Sequence, residues 1–376
     1  MRFCVKCLNM TTRPNTIFSS DGLCPACDQY IDISKIDWNS RDLELNQIVE
    51  FGKSNNRSGY DCIVGVSGGK DSTRQALYVK NQLKMKPLLV SLNYPPEQIS
   101  VIGTKNLSNL IKLGFDCINI SCSPEIWKKL MKIGFYRFGN WAKSTEMALF
   151  SSVPRLAIAY QIPLIWWGEN ISVAIGDSKA AGESASDGNR VKYSNTLDGG
   201  KIDWMLENEL QINQLMQFRF PTNTEMQKAN LRIVFLAHFI KDFSIFTNGN
   251  FSALHGLNIK QPSMVDADFW GTSMLDEDFF TLNMMIKYLK YGFGRTNDNV
   301  NEEIRAGRIS RAEAIALVEK FDGKCPPEVI SRFCHYIEIT LDEFWRVVDL
   351  FVNRDLFNRV KQGEYQKKFK VGISNE

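Results

Sequence analysis

The chain has 376 residues, of which 44% are hydrophobic, and its 45 basic and 42 acidic residues give a formal net charge of +3. This length suits two or three domains with a sizeable core. The near-neutral, scattered charge gives no support for nucleic acid as a partner. No apolar run reaches the roughly 18–20 residues of a membrane span, and Cys4 precedes any signal-like segment. We therefore expect a cytoplasmic protein without a membrane span.

The N-terminal segment carries two Cys-x-x-Cys pairs. Cys4 and Cys7 form the first pair, and Cys24 and Cys27 form the second after a spacer of 16 residues. This spacing is typical of a zinc ribbon, because four thiolates close a tetrahedron around one metal ion. Such a site leaves no position for water, so we predict a structural Zn²⁺ in a ribbon spanning residues 1–35. Two disulfides and an iron–sulfur cluster are the alternatives.

Residues 36–260 show the pattern of an α/β domain, in which short apolar runs alternate with amphipathic stretches. Connections of this length favour right-handed crossovers and a parallel sheet. The predicted strands span 62–66, 88–92, 117–121 and 163–167. Helices are predicted over 71–84 and 151–160, the second with Pro154 near its start. Ligands of such sheets bind beyond the carboxyl ends of the strands.

The loop after the first strand is Ser67-Gly68-Gly69-Lys70-Asp71-Ser72. Its glycines let the backbone approach phosphate oxygens, its serines add hydroxyl donors, and the following helix N-terminus favours anions. The spacing is neither a Walker loop nor Gly-x-Gly-x-x-Gly, which disfavours transfer of a γ-phosphoryl group. The string resembles the SGGxDS loop of the ATP pyrophosphatase (PP-loop) superfamily. That resemblance implies cleavage of ATP between the α- and β-phosphates, with this loop holding the pyrophosphate.

Polar residues follow two other predicted strands. Asn93 follows the second strand and is expected near the adenosine, whereas Gly168, Glu169 and Asn170 follow the fourth strand. Mg²⁺ prefers one or two carboxylates together with phosphate and water oxygens. We therefore predict that Asp71 and Glu169 bind Mg²⁺ beside ATP. A simple turn or cap is the alternative for the Glu-Asn pair.

A run of small and polar residues over 176–190 predicts a mobile surface loop. Because it follows Glu169 by only seven residues, one hypothesis is a lid that closes over bound nucleotide and excludes water. A passive surface insertion is the alternative.

Residues 261–376 read as a mainly helical region that binds substrate or a partner. Ser310 with Glu313 and Thr340 with Glu343 match the capping box, which marks helix starts. Arg295 follows two glycines in a break between helical stretches, where it can approach a carboxylate or phosphate of the substrate. An exposed turn is the alternative for this arginine.

Several motifs, taken together, resemble one family. They are the four ribbon cysteines, the segment 64–72, Ala148-Leu149-Phe150 with Val153-Pro154-Arg155, Trp167-Gly168-Glu169-Asn170, and Lys290-Tyr291-Gly292-Phe293-Gly294-Arg295. The combination is similar to the bacterial N-acetyl sugar amidotransferases of the WbpG and PseA type, which belong to the PP-loop superfamily. The resemblance extends over nearly the entire chain.

This resemblance implies a reaction. Members of the family convert an acetamido group of a nucleotide-activated sugar into an acetamidino group, in the synthesis of surface polysaccharides such as the lipopolysaccharide O-antigen. ATP adenylates the amide oxygen, and ammonia from a separate glutaminase, a HisH and HisF pair, replaces it. We expect Ser67, Lys70, Asp71 and Glu169 to be catalytic, mainly through positioning and electrostatic stabilisation.

The sugar itself is not readable from the sequence. The resemblance leaves a UDP-linked diacetamido uronic acid and a CMP-linked nonulosonic acid open. Both carry a carboxylate, for which Arg155 and Arg295 are the candidate partners.

Two other functions compete with this interpretation. A PP-loop enzyme that thiolates tRNA uses the same adenylation, but it predicts a basic face and catalytic cysteines, for which Cys117 and Cys122 are the nearby candidates. A non-catalytic partner-binding protein would retain the ribbon and a relic of the loop. The intact Asp71-Ser72 and Glu169-Asn170 pairs disfavour that second alternative.

Overall fold

A computed structural model describes residues 1–30, 33–261, 268, 270–273 and 275–374. Its centre is a parallel sheet of five strands in the order β3-β2-β1-β4-β5. These strands are β1 Cys62–Gly65, β2 Pro87–Asn93, β3 Cys117–Ser121, β4 Leu164–Trp167 and β5 Arg232–Phe235. The first four confirm the predicted strands. β5 was not predicted; it lies in the apolar stretch 231–240, where periodicity alone does not separate a strand from a helix.

Fifteen α-helices occur in the described residues. They are α1 Pro25–Asp28, α2 Trp38–Asn55, α3 Lys70–Asn81, α4 Val101–Lys112, α5 Pro124–Phe138, α6 Ala142–Tyr160, α7 Ile171–Ala174, α8 Asp203–Leu206, α9 Asn223–Lys228, α10 Ile245–Leu254, α11 Phe280–Tyr291, α12 Arg295–Arg305, α13 Arg311–Phe321, α14 Pro327–Ile337 and α15 Leu341–Phe351. None of them is long and apolar enough to cross a membrane.

The sheet is buried on both faces because alternate residues of each strand point to opposite sides. Val64 packs on one side with residues of α2 and α3, including Leu45 and Ala76. Its neighbour Ile63 packs on the other side with Val153 of α6. Helices thus cover both faces, and this arrangement confirms the predicted α/β class.

Helix α6 is longer than predicted. It begins at Ala142 and contains Pro154 in its interior, although the sequence placed that proline near the start of a helix over 151–160. The additional turns are buried against α5 and the C-terminal helices, where Ala142 and Met147 join the same core as Phe135. Tertiary packing therefore extends the helix despite the backbone hydrogen bond that proline removes.

The C-terminal region is mainly helical, as predicted, but it ends in an antiparallel hairpin of β6 Phe357–Lys361 and β7 Glu364–Lys367. Its aromatic side chains share one core with α5, in which Phe135 stacks on Phe344 and meets Phe333 edge to face. Ser310 and Glu313 form the predicted capping box of α13, and Thr340 caps α15.

Within the segment 176–190, which the sequence predicts as a mobile loop, residues 186–188 are hydrogen-bonded to the edge strand of the sheet. The Gly188 N–H donates to the Ile233 carbonyl at 2.8 Å, and the Phe235 N–H donates to the Ser186 carbonyl at 2.8 Å. The Ser186 hydroxyl also donates to Glu44 of α2 at 2.6 Å. These contacts make the segment a cover for the otherwise open edge of β5.

The four cysteines of the N-terminal segment converge into one buried cluster. Their sulfur atoms all lie within 4.8 Å of one another. The Sγ atoms of Cys7 and Cys24 are 3.6 Å apart, so they are not bonded, and this matches the about 3.8 Å edge of a ZnS₄ tetrahedron. Backbone N–H groups of Asn9 and Cys24 donate to the sulfurs of Cys7 and Cys4 at 3.3 Å. The geometry fits a metal held by four thiolates.

The ribbon is docked on α12. The Leu8 N–H donates to Asn301 Oδ1 at 2.7 Å, and Asn297 Nδ2 donates to the Leu8 carbonyl at 3.0 Å. Arg13 forms a buried ion pair with Asp298 of the same helix. The ribbon is therefore packed into the body of the protein.

We predict that metal content and stability depend on the four thiolates together. Purified protein should contain about one Zn²⁺ per chain, and Cys24→Ser should lower the free energy of unfolding by about 3 kcal/mol or more, because an incomplete set of ligands loses the metal. Metal analysis and chemical denaturation measure both effects. Cys117→Ser, a cysteine outside the cluster, is the control, and a brown protein containing iron would contradict the zinc assignment.

Candidate active site

The phosphate-type loop joins β1 to α3 at the carboxyl edge of the sheet. Gly68 has a φ of +84°, and a Cβ there would lie 2.8 Å from the Leu107 nitrogen of α4. Gly69 has an ordinary φ of −73° and caps α3, and a Cβ there would meet only the Ser67 hydroxyl, at 3.4 Å. Gly68 is thus required by close packing, whereas Gly69 faces the open side of the loop, where an anion can approach.

Lys70 and Asp71 open α3 and are held in place by α10. Lys70 is 5% exposed, and its Nζ lies 2.6 Å from Asp71 Oδ2. The other carboxylate oxygen of Asp71 accepts from Asn248 Nδ2 at 2.6 Å, and the Ser252 hydroxyl donates to the Lys70 carbonyl at 2.6 Å. The carboxylate of Asp71 is therefore preoriented by two donors.

Glu169 lies just beyond β4, beside Asp71. Enclosure by protein atoms raises the pKa of Glu169, the Asp71 carboxylate raises it further, and Lys70 and Arg295 lower it. Gly168 precedes it where a Cβ would lie 2.5 Å from Gln75 Nε2, so only glycine fits without displacing that side chain. The structure thus brings together Asp71 and Glu169, the two carboxylates proposed from the sequence to bind Mg²⁺.

Asn170 and Asn93 differ in their surroundings. Asn170 caps α7: its Oδ1 accepts from the N–H and hydroxyl of Ser172 at 2.9 and 2.7 Å, while its Nδ2 donates to the Ala185 carbonyl at 2.8 Å. Its amide is thus used by the local fold, which is the cap alternative. Asn93 ends β2 in register with Ser121 of β3, at the same edge as the loop.

The two arginines proposed to bind substrate lie in different places. Arg295 begins α12, its charge acts on Glu169, and its Nε is buried without a hydrogen-bond partner among the described residues. Arg155 lies in the last turns of α6, where the charges of Arg219 and Glu225 act on it. Because α6 and α9 lead into β4 and β5, this second arginine lies towards the amino-terminal edge of the sheet. The structure does not bring it to the loop.

Glu302 joins the site and was not predicted from the sequence. Burial and the nearby Glu169 carboxylate raise the pKa of Glu302 to about 8, and Asp71 contributes in the same direction. The signal that could have revealed it is the composition of α12, whose sequence RTNDNVNEEIR is almost entirely polar although most of the helix is buried. A polar helix buried in a protein generally serves a site or an interface.

Two cavities flank α7 and α12. One, of about 360 Å³, is lined by Glu169 and Glu302 together with Val173, Ile240 and Phe243. The other, of about 270 Å³, has an amide, aromatic and basic lining that includes Asn195, Asn283, Lys290, Phe293 and Arg295. A larger groove of about 1170 Å³ between α5 and α14 includes no residue of the phosphate-type loop.

Residues 268–370 match the family model described as LPS biosynthesis protein WbpG-like, C-terminal domain. The matched residues are thus similar to that C-terminal domain, over about a quarter of the chain. This match confirms, for that region, the family resemblance recognised in the sequence. Both Arg295 and Glu302 lie within the matched residues. No curated protein matches the chain.

Two solved structures show distant similarity to this chain over different shares of its length. NH₃-dependent NAD synthetase from Campylobacter jejuni subsp. jejuni is 17% identical, covers 61% of this chain and 100% of its own, and gives a TM-score of 0.28. U34-tRNA thiolase NcsA from Methanococcus maripaludis, solved with its [4Fe-4S] cluster, is 12% identical, covers 90% and 96%, and gives 0.25. These scores are too low to support an argument about this chain.

The WbpG-like region therefore completes a site that begins in the α/β domain. Among the described residues, only the four cysteines hold three or more metal-ligand atoms close together. The carboxylates of Asp71 and Glu169 nevertheless suit Mg²⁺, which needs few protein ligands when phosphate and water supply the rest. The negative charge of Asp71 raises the pKa of Glu169. A cation bound between the two carboxylates would reduce this repulsion.

Substitution of the two loop glycines should separate folding from nucleotide use. Gly68→Ala should lower stability by about 1–3 kcal/mol, because a Cβ is strained at positive φ and meets the α4 backbone. Gly69→Ala should change stability by less than about 0.5 kcal/mol but weaken ATP use at least tenfold, because its methyl group occupies the open side. Thermal unfolding and ATP–pyrophosphate exchange measure these effects. Equal loss of stability in both variants would contradict the assigned orientation of the loop.

The raised pKa of Glu302 makes stability dependent on pH. The folded state holds this proton up to about pH 8, whereas the unfolded carboxyl releases it near its ordinary value of 4.5, so stability should fall as the pH rises between them. Glu302→Gln removes this contribution, and its advantage in melting temperature should grow from about pH 5 to about pH 8 without ligands. A constant difference across that range would show an ordinary pKa.

Proposed function

We propose that the protein is an ATP-dependent amidotransferase that converts an acetamido group of a nucleotide-activated sugar into an acetamidino group. This proposal rests on one observation: the loop 67–72 and helix α12 lie together at the carboxyl edge of the sheet. The loop with Asp71 supplies the means to hold a pyrophosphate, and the WbpG-like region adds Arg295 and Glu302 beside Glu169. We place the reaction in the synthesis of lipopolysaccharide O-antigen or a similar surface polysaccharide, which is consistent with the description of that family.

The chemistry overcomes the low reactivity of an amide carbonyl. The amide oxygen attacks the α-phosphorus of ATP, pyrophosphate leaves, and an imidoyl adenylate forms. The lone pair of ammonia then forms a C–N bond to the activated carbon. After the added nitrogen loses a proton, AMP leaves with the electrons of the C–O bond, and the product is an amidinium.

In this proposal, residues of the chain stabilise the charges of the pyrophosphate and of the substrate. The loop N–H groups, the Ser67 hydroxyl and Lys70 stabilise the departing pyrophosphate, since fixed donors in an enclosed site act on the charge that develops. Asp71 and Glu169 would hold Mg²⁺, which supplies neutralisation of the phosphate charge. Arg295 would bind an anionic group of the substrate. Zn²⁺ in the ribbon has a structural role only.

The free cysteines favour this function over tRNA thiolation. Burial raises the pKa of Cys117 to about 11 and that of Cys122 to about 12, so neither is poised as a thiolate at neutral pH. They also stand at opposite ends of β3, separated by about 16 Å at the usual rise per residue. A pair that exchanges sulfur needs much closer thiols.

A separate glutaminase is proposed as the source of ammonia. Burial also raises the pKa of Cys334 to about 11, and that of Cys62 well above its ordinary value. Thiols of this kind are poor glutaminase nucleophiles. A HisH and HisF pair, as the family resemblance implies, is the proposed partner.

The reaction can be tested directly by mass spectrometry. Protein incubated with ATP, Mg²⁺, ammonium and a UDP-linked diacetamido uronic acid or a CMP-linked nonulosonic acid should form AMP, pyrophosphate and a sugar in which NH replaces O. Glutamine should not replace ammonium when the chain is alone. Asp71→Asn should lower the rate at least about 100-fold, because the loss of one carboxylate ligand weakens the binding of the Mg²⁺ that neutralises the pyrophosphate.

A matched control tests whether this loss is specific. Asp116→Asn removes an exposed carboxylate at the amino-terminal end of β3, where its only described side-chain hydrogen bond is from Tyr60, and should leave the rate within about twofold. Full activity of Asp71→Asn would exclude the proposed role of the loop. Formation of AMP only with tRNA would favour the thiolation alternative.

A further inference from the structure

One face of α11 lines the cavity of about 270 Å³. Asn283, Lys287 and Lys290 are spaced i, i+4 and i+7 on this helix, and Tyr291 follows at its end. All four are among the lining residues of the cavity. Lysine is almost never enclosed in a protein unless it is paired with an acidic group. The partners of these two lysines therefore indicate what the cavity can bind.

The basic side chains of this cavity outnumber the acidic groups that pair with them. Asp298 pairs with Arg13 through one carboxylate oxygen and with Lys287, at 2.5 Å, through the other. Lys290 and Arg295 also line the cavity, and neither forms an ion pair with a described residue. Two cations on either side of the break between α11 and α12 are therefore left without a paired acid.

The other two carboxylates of the lining serve different groups. Asp177 accepts from the Asn195 N–H at 2.8 Å and so fixes the neighbouring loop. Burial raises the pKa of Glu146, whereas the charges of Lys287 and Lys143 lower it, so this carboxylate lies near those two lysines. Within the described part of the chain, neither carboxylate forms an ion pair with the two unpaired cations.

The surroundings of Lys290 favour an anion. Its Nζ donates to the Phe138 carbonyl at 2.6 Å, and the rings of Tyr291 and Phe351 lie 5.3 and 5.5 Å from it. Lys143 lies 5.2 Å from the ring of the same Phe138. Burial and the positive charge of Lys143 lower the pKa of Lys290 to about 8, and no described carboxylate acts in the opposite direction. An ammonium enclosed in this way is stabilised when an anion binds beside it.

The rest of the lining suits a sugar ring. Asn195 and Asn283 supply amide donors and acceptors, and Phe150 and Tyr291 supply aromatic contact area. A sugar has apolar C–H faces and an edge of hydroxyl or acetamido groups, so it matches such a lining. The volume of about 270 Å³ equals that of about nine water molecules at about 30 Å³ each, which is room for one substituted ring but not for an attached nucleotide.

We propose that this cavity binds the sugar ring of the substrate and that Lys290 pairs with a carboxylate on it, so that the chain selects a sugar acid over the corresponding neutral sugar. This inference rests on the proposed function and assigns its sugar specificity to a residue at the end of α11. Arg295 lines the same cavity and acts on Glu169, so its end of the cavity is the one nearer to the proposed adenylation site.

Two matched ligands test the selection without ATP. N-acetylglucosaminuronic acid and N-acetylglucosamine differ only in a carboxylate in place of a hydroxymethyl group. Wild-type protein should bind the acid about tenfold more tightly or better, because a hydrogen bond between charged groups is added. Isothermal titration calorimetry at pH 7 measures both affinities. Equal affinities, or no binding of either ligand, would overturn the proposal. Equally tight binding of inorganic phosphate would show a simple anion site and overturn the assignment to a sugar.

Substitution of Lys290 tests whether this residue makes the selection. Lys290→Met should weaken binding of the acid about tenfold or more and leave that of the neutral sugar within about twofold. Lys132→Met is the matched control, because Lys132 also donates to a backbone carbonyl, that of Glu338 at 3.2 Å, but lies outside the cavity. A purely structural role of Lys290 predicts instead that both ligands are weakened equally, and that result would overturn the proposal.

The pH dependence of binding gives a second signature. The carboxylate of the acid is ionised throughout, so its affinity for wild-type protein should fall as the pH rises above about 8, where Lys290 loses its proton. Lys143 is the charged group that acts on Lys290, and Glu146 and Lys287 lie further along the cavity. Lys290→Arg should bind the acid with no such fall, because a guanidinium keeps its charge. The same fall in Lys290→Arg would assign the titration to another group and contradict the proposal.

Activity measurements separate this proposal from the proposed function. If no nucleotide sugar is aminated but the acid binds through Lys290, the proposed reaction is wrong while the sugar-acid site stands. If a UDP-linked diacetamido hexose without a carboxylate is aminated as fast as the uronic acid, the proposed reaction stands and the selection by Lys290 is wrong.

Discussion

The hydrogen bonds between the main chain of Leu8 and the side chains of Asn297 and Asn301 hold the cysteine ribbon on α12, and the geometry of the site depends on them. Leu8 and both asparagines are buried, so breaking these bonds would leave polar groups without water. The opposite face of the helix carries Arg295 and Glu302 towards the sheet. The cysteine ribbon therefore positions the part of α12 that faces the phosphate-type loop.

The carboxylates at this edge of the sheet are only partly neutralised by neighbouring cations. Lys70 neutralises Asp71 at 2.6 Å, yet desolvation and a neighbouring carboxylate raise the pKa of Glu169 and also that of Glu302. Carboxylates held in this way favour a cation or a proton between them. In the proposed reaction, the preference of these carboxylates for a cation suits the Mg²⁺ that accompanies the pyrophosphate. It also suits the ammonium from which the nitrogen of the product comes. Arg295, whose Nε has no hydrogen-bond partner among the described residues, is the group available to an anion.

Local patterns predicted the parts of the site that are continuous in the chain. The Cys-x-x-Cys pairs and the loop after β1 each consist of a few residues at a constant spacing in the sequence. Such motifs can therefore be recognised without the structure. The place of Glu302 was not predictable in this way, since it comes near Glu169 only after α12 has packed against segments more than a hundred residues away. The same limit applies to Arg155, whose motif resembled the family but whose helix directs it towards Glu225. For the segment 176–190, composition indicated a mobile loop, but pairing with β5 decided its structure.

The position of the segment 176–190 affects how the site can exclude water. A lid would protect a reactive adenylate by closing after the substrates have bound, but the segment suited to that role by composition is hydrogen-bonded to β5 and α2. Residues of α7 and α12 line both cavities and so separate them. The first half of α12 faces the smaller cavity with Arg295, and its second half faces the larger one with Glu302. The partition therefore separates a cavity lined by Arg295 from one lined by Glu169 and Glu302.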